Sequence, residues 1–215
     1  MSRFFRFVFA GLLTLVAVSH AAPVQAMTVL AVDLPQLVQT SELVLHGKIV
    51  AVQNRDRRAA GQGVWTEFTL EINDVWKGDA VLKVSPARVG KRLTWAHPGG
   101  LRTDGLMVTV PGMPQFAVGE EVVVALEKTA QGYTVCGGPQ GKWHVQTDKA
   151  GRKTVVRQLA DVHFLAQNQQ TGAVAPIAPP TQTAKALVDF KADVLAAQKT
   201  APPPAVAPIP VQRVK

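Results

Sequence analysis

From Val64 to Asn73 the chain alternates without a break. Val64, Thr66, Phe68, Leu70 and Ile72 fall on one side; Trp65, Glu67, Thr69, Glu71 and Asn73 fall on the other. A period of two puts one face of a β-strand in a core and the other toward water, whereas a helix would scatter these residues around its axis. Such a strand needs partners on both edges and a cover over its apolar face, so a sheet structure follows. The alternation breaks at Asp74-Val75, where a bulge would return Val75 to the core side.

Other segments fit the same reading. Leu43–Val52, Val81–Ser85, Leu106–Val110, Glu121–Glu127, Tyr133–Cys136, Lys142–Thr147 and Lys153–Gln158 are short apolar or β-branched runs. They are separated by turn-forming stretches: Asn54–Gly63, Trp76–Asp79, Pro111-Gly112, Ala130–Gly132 and Asp148–Gly151. Arg88–Asp104 reads as a long irregular loop. No helices of crossover length alternate with these strands, which argues against a doubly wound α/β fold. The expected fold is mainly β: a small OB-like barrel or sandwich of about seven strands. Asp33-Leu34-Pro35 predicts a short N-terminal helix, with Asp33 as cap and proline in the first turn.

The composition changes after Gly172. Residues 172–215 hold eight of the 15 prolines. Within them Leu187, Phe190, Val194 and Leu195 recur at helical spacing, predicting an amphipathic C-terminal helix over 183–199. The expected organisation is a signal peptide at 1–26, a β-barrel domain at 27–165, a linker at 166–182, that helix, and a Pro/Ala-rich disordered tail at 200–215.

The first residues carry the address. Arg3 and Arg6 precede an apolar stretch from Val8 to Val18, and Val24-Gln25-Ala26 places short side chains at the −3 and −1 positions. The stretch is too short to span a bilayer comfortably, and no later run has the length, so no transmembrane segment is expected after cleavage. The destination is periplasmic or secreted. Cleavage removes two arginines and no acid, leaving 21 basic and 15 acidic side chains, a net +6. A single cysteine, Cys136, rules out a disulfide scaffold and a multi-cysteine metal site. Among small residues it reads as a buried hydrophobe rather than a nucleophile.

Candidate chemistry is sparse. The chain beyond residue 26 has four histidines: His46, His97, His144 and His163. None has metalloenzyme spacing, so neither a metal nor another cofactor is expected. The alternative expectation is a hydrolase, in which the fold gathers His46, His97 and His144 with an acid such as Asp104. Ser41 and Ser85, the only serines there, lack a nucleophile elbow. Gly137–Lys142 departs from a phosphate-binding loop, with Trp143 where Ser or Thr should stand, and reads as a tight bend. Arg55–Arg58 and Lys91-Arg92 are basic, and Trp65 and Trp95 suit base stacking. Export, modest charge, and Glu67 and Glu71 on the same strand argue against nucleic acid.

Several stretches resemble a pattern found in uncharacterised secreted bacterial proteins. They are Leu45–Val50, Val75-Trp76-Lys77-Gly78, Gly99-Gly100, Pro111-Gly112 with Pro114 and Phe116, Gly119–Val123, and Gly138–Trp143. The likeness spans roughly residues 30–160. The strand–loop–strand opening also resembles the netrin and tissue-inhibitor-of-metalloproteinase group, which implies an OB-type barrel. Their inhibitory mechanism uses an N-terminal cysteine, and here the cleaved chain would begin Met27-Thr28. The expected function is therefore an exported, non-catalytic module that binds an envelope or extracellular protein. The candidate interaction loop holds Trp95, His97, Arg102 and Asp104.

Overall fold

The computed structural model describes residues 27–78, 91–159, 162–168, 171–181 and 183–200. The expected signal peptide, the strand at Val81–Ser85 and the tail beyond Thr200 lie outside these residues. The architecture is mainly β with two helices. Among the described residues, no helix is long and apolar enough to cross a membrane.

Strand β1 (Met27–Leu30) leads into helix α1 (Leu34–Thr40), which begins where the sequence predicts. The Asp33 carboxylate accepts from the Gln36 amide at 2.8 Å, and Pro35 occupies a position whose amide would lack a partner. The helix ends on a cation. Lys77 Nζ donates to the carbonyls of Val38, Gln39 and Ser41, which the helix itself cannot satisfy.

Strands β2 (Leu43–Asp56) and β3 (Val64–Lys77) form a hairpin of 14-residue arms. Val64, Phe68, Leu70 and Ile72 are buried, as the alternation predicts. Both arms outrun their expected ends, and Trp76-Lys77, read as a turn, belongs to β3. Burial of Trp76 (4 % exposed) holds that extension in place. Register shifts fall between Val44 and Leu45, His46 and Gly47, and Ile49 and Ala51. Each bends the hairpin. Gly47 sits where the arms come closest, since a Cβ there would lie 2.2 Å from the Glu71 carbonyl oxygen.

The segment read as an irregular loop contains β4 (Arg92–Pro98), paired antiparallel with β3. Beyond it, β5 (Gly100–Leu101) and β6 (Met107–Val108) make a small separate hairpin, shorter than the strand expected at Leu106–Val110. Next come β7 (Glu121–Thr129), β8 (Gly132–Val135), β9 (Lys142–Thr147) and β10 (Lys153–Val156), near their expected positions. The residues expected as a linker contain the last two residues of β11 (Val162–Gln167) and all of β12 (Val174–Ile177). β1, β11 and β12 form a three-stranded sheet. β13 (Lys185–Ala186) then leads into helix α2 (Leu187–Ala197), shorter than the 183–199 span expected.

The main sheet has eight strands, ordered β13-β10-β9-β7-β2-β3-β4, with β8 added to the far end of β7. The described chain thus has thirteen strands rather than about seven. The excess consists of two-residue bridges and the small second sheet. Each face of the main sheet carries a buried cluster. On one, Leu45, Ile49, Phe68, Leu70, Trp95, Phe116, Val122 and Val124 pack together inside the curl. On the other, Val44, Trp76, Val123, Trp143 and Val155 lie beneath α1 and α2. Curling brings β4 alongside β8, but no ladder joins them, so the barrel does not close.

Candidate functional site

The gap between β4 and β8 opens on the outer surface as a groove of about 630 Å³. Four strands and two loops build it. β3 contributes Trp65 and Glu67 from its outward face; β4 contributes Ala96 and Pro98. The β7–β8 hairpin supplies Thr129, Gln131, Tyr133 and Thr134, and the β2–β3 loop supplies Arg57 and Gln62. Trp65 is half-buried and oriented by its indole N–H, which donates to the Gln62 carbonyl at 2.6 Å. Tyr133 is half-buried too; burial, with Glu42 nearby, raises its hydroxyl above the ordinary value. Glu67 receives both Arg55 and Arg57 at 2.8 Å, so the basic run carries its own counter-charge.

The β5–β6 hairpin stands at the same end of the sheet. Thr103 donates to Asp56 through its amide and its hydroxyl, both at 3.0 Å, and the Leu101 amide donates to Asn54 Oδ1 at 3.0 Å. Arg58 bonds with Asp56 and, with Thr103, holds that carboxyl well below the usual carboxylate range. The hairpin exposes three large apolar side chains: Leu101 (43 %), Leu106 (58 %) and Met107 (64 %).

The candidate interaction loop divides. Trp95 and His97 alternate inward on β4 and are each 2 % exposed, so neither presents a surface to a partner. Trp95 packs on Phe68 and Phe116, and His97 lies against the same two rings. Arg102 and Asp104 do lie at the surface, ion-paired with each other.

The histidines are not brought together. His46 faces the helix-covered side, beside Trp76, with Nε2 2.7 Å from Glu121. His144 pairs with Val122 on the opposite face and meets Glu120 at 2.5 Å. Asp104 is held by Arg102 and Arg58 on the distant hairpin. Among the described residues, no three His, Cys, Asp or Glu side chains are grouped to hold a metal ion.

Glu120 anchors a compact ionic cluster of its own. Burial alone would raise its pKa, but hydrogen bonds from His144 and Lys142 outweigh this and bring it down to about 2. Lys142 Nζ is 2.7 Å from Glu120, bonds the Gln115 carbonyl, and lies 4.3 Å over the Phe116 ring. This lysine, which ends the Gly-rich stretch, is buried rather than free for phosphate. The stretch itself is the expected bend, with Gly137 and Gly138 at φ 65° and 58°. Its Gln140 is 1 % exposed and fastens the chain after β1, accepting from Val32 N and donating to Leu30 O. Cys136 is buried beside the Thr40 hydroxyl, and burial pushes its thiol up.

The sequence reading passed over Gln62, Thr129, Gln131 and Tyr133. One signal pointed to the groove: Trp65 is a large aromatic on the polar side of an otherwise regular alternation. No protein-family model, curated protein or solved structure matches this chain.

Proposed function

We propose that this protein is an exported, non-catalytic binding module that holds a segment of a partner protein in the groove between β4 and β8. The observation that carries the reading is the groove itself: Trp65 and Tyr133 in its wall, with Gln62, Thr129, Gln131 and Thr134 able to bond a peptide backbone. Aromatic side chains flanked by neutral hydrogen-bonding groups are common anchors of protein interfaces. The neighbouring Leu101, Leu106 and Met107 favour a protein ligand over a sugar, because clustered exposed apolar side chains mark surfaces that become covered. Arg102 and Asp104 keep their role in the interaction loop at the rim.

The OB-like reading belongs to the same proposal. Strand order β4-β3-β2-β7-β8, with β4 beside β8, is the order of a five-stranded OB barrel left open at one seam. The groove occupies the face formed by its second and third strands and by its first and last hairpin loops, where OB folds bind extended ligands. The periplasm or cell exterior remains the proposed destination.

The test is capture from an envelope extract by the wild type and by a Trp65→Ala/Tyr133→Ala variant. A partner retained by the wild type and lost by the folded variant supports the groove. If every retained protein binds both forms equally, the reading fails.

A further inference from the structure

A second cavity of about 210 Å³ lies on the other side of the sheet, between β10, α2 and the segment before β13. Trp143, Val155, Leu159 and Phe190 give it an apolar lining. Arg157, just beyond β10, enters it with its guanidinium 4.5 Å over the Trp143 ring. The arginine Nε is buried and has no hydrogen-bond partner. Among the described residues no carboxylate pairs with this side chain. The nearby Asp193 is engaged by Lys185. Burial alone pulls Arg157 down to about 10, still charged at neutral pH.

The Arg157 side chain is half-buried with its Nε enclosed, so part of its hydration is lost and no counter-charge among the described residues repays that loss. The indole face covers one side of the guanidinium and leaves its donors without a partner among the described residues. An arginine fork is matched by a carboxylate, and the apolar lining is matched by a hydrocarbon body. The cavity is smaller than the range usual for drug-sized ligands. We infer that the Arg157–Trp143 cavity is a binding site for a small free organic acid, its carboxylate on the Arg157 guanidinium and its apolar body against Trp143, Leu159 and Phe190. This site is separate from the groove, and its occupation would neutralise the one unpaired cation beneath α2 among the described residues.

Calorimetric titration of the full chain with 3-phenylpropionate tests it. Saturable binding is expected, with 3-phenylpropionamide about tenfold weaker or worse, because the amide cannot supply the charge. Arg157→Gln should weaken the acid by about the same factor. Arg157→Met should melt at or above the wild-type temperature without ligand, because it removes a half-buried, unpaired charge and keeps an unbranched chain against Trp143. It should also lose the rise in melting temperature that the acid gives the wild type. No saturable binding to the wild type, equal binding of acid and amide, or unchanged binding by Arg157→Gln would each overturn the inference. A Met variant that melts well below wild type would instead make Arg157 a structural residue. Tighter binding of a peptide ending in phenylalanine would overturn the assignment to a free acid.

Discussion

His97 is enclosed by Phe68 and Phe116, and burial pushes its titration down to about 4, with the Pro114 carbonyl only partly offsetting the effect. In the unfolded chain the ring takes its proton near 6.5; in the folded protein it does not. Between those values the unfolded state binds more protons, so stability falls as pH is lowered. The loss by pH 4 is about 3 kcal/mol at 1.36 kcal/mol per pH unit. Glu120 acts in a lower window: its stabilisation is present above 4.5 and lost as pH falls toward about 2. Urea melts of the wild type from pH 7 to 4 should therefore show a decline that His97→Leu largely abolishes; parallel curves would mean that His97 is not the group responsible. Trp143 and His144 give a second contrast. Trp143 is 4 % exposed and packs on Phe190 at 5.1 Å, so Trp143→Ala should cost about 3–5 kcal/mol. His144→Ala should cost about 1 kcal/mol, since Lys142 still holds Glu120. Equal costs in chemical denaturation would contradict that difference in burial. The phase of that strand was legible because Trp143, His144 and Val145 alternate in a regular run. The burial of His97 was not, because Gly99-Gly100 and the charged residues before Arg92 make its surroundings look like loop.

At the scale of elements, local chemistry explains what could be read. The cap at Asp33 and the alternation along β3 are short-range signals, and both elements form where those signals lie. β4 was hidden because its strand character comes from pairing with β3, a contact that no local pattern announces. Helix α2 buries Phe190 and Val194 as its spacing predicts, yet Leu195 is 41 % exposed. The buried stripe runs through Phe190, Val194 and Ala197, at i, i+4 and i+7, and Leu195 lies about 100° round the helix from Val194. The β5–β6 hairpin makes an element-scale prediction. It is a two-by-two ladder and cannot hold its own shape in water. Its bonds to Asp56 and Asn54 tie it to the end of β2. Asp56→Ala should thus release the Thr103 and Leu101 amides to fast hydrogen exchange while the β2–β3 ladder stays protected. Retained protection at both amides would show that the hairpin is fixed by something else.

For the whole molecule, one alternating pattern served two cores. The strands alternate because residues facing into the curl, such as Val122 and Val124, are apolar, but Val123 and Ala125 between them are apolar too. A barrel with a solvated outside would place polar residues there. That continuous run from Val122 to Leu126 was the sign that the outer face is covered, and α2 is part of the cover. The groove was less legible still, because its walls come from β3, β4 and β8, which meet only when the sheet curls. The helix gives the last prediction. Phe190 lies on Trp143 and Trp76, at 5.1 and 6.0 Å, and Lys191 reaches Asp74 at 2.6 Å. Gln198 donates to the Trp76 carbonyl at 2.8 Å, and Phe190 and Val194 are each worth about 1.5–3 kcal/mol of burial before ordering costs. A helix of this length is marginal in isolation, so its formation and docking are one event. A chain ending at Thr200 keeps every one of these contacts and is the control. A chain ending at Thr181 should melt at lower temperature than that control. It should also shift tryptophan emission to the red as Trp76 and Trp143 meet water, and bind a dye for exposed apolar surface. If the two chains melt together with the same emission, α2 does not stabilise the sheet, and the outer core is sufficient without it.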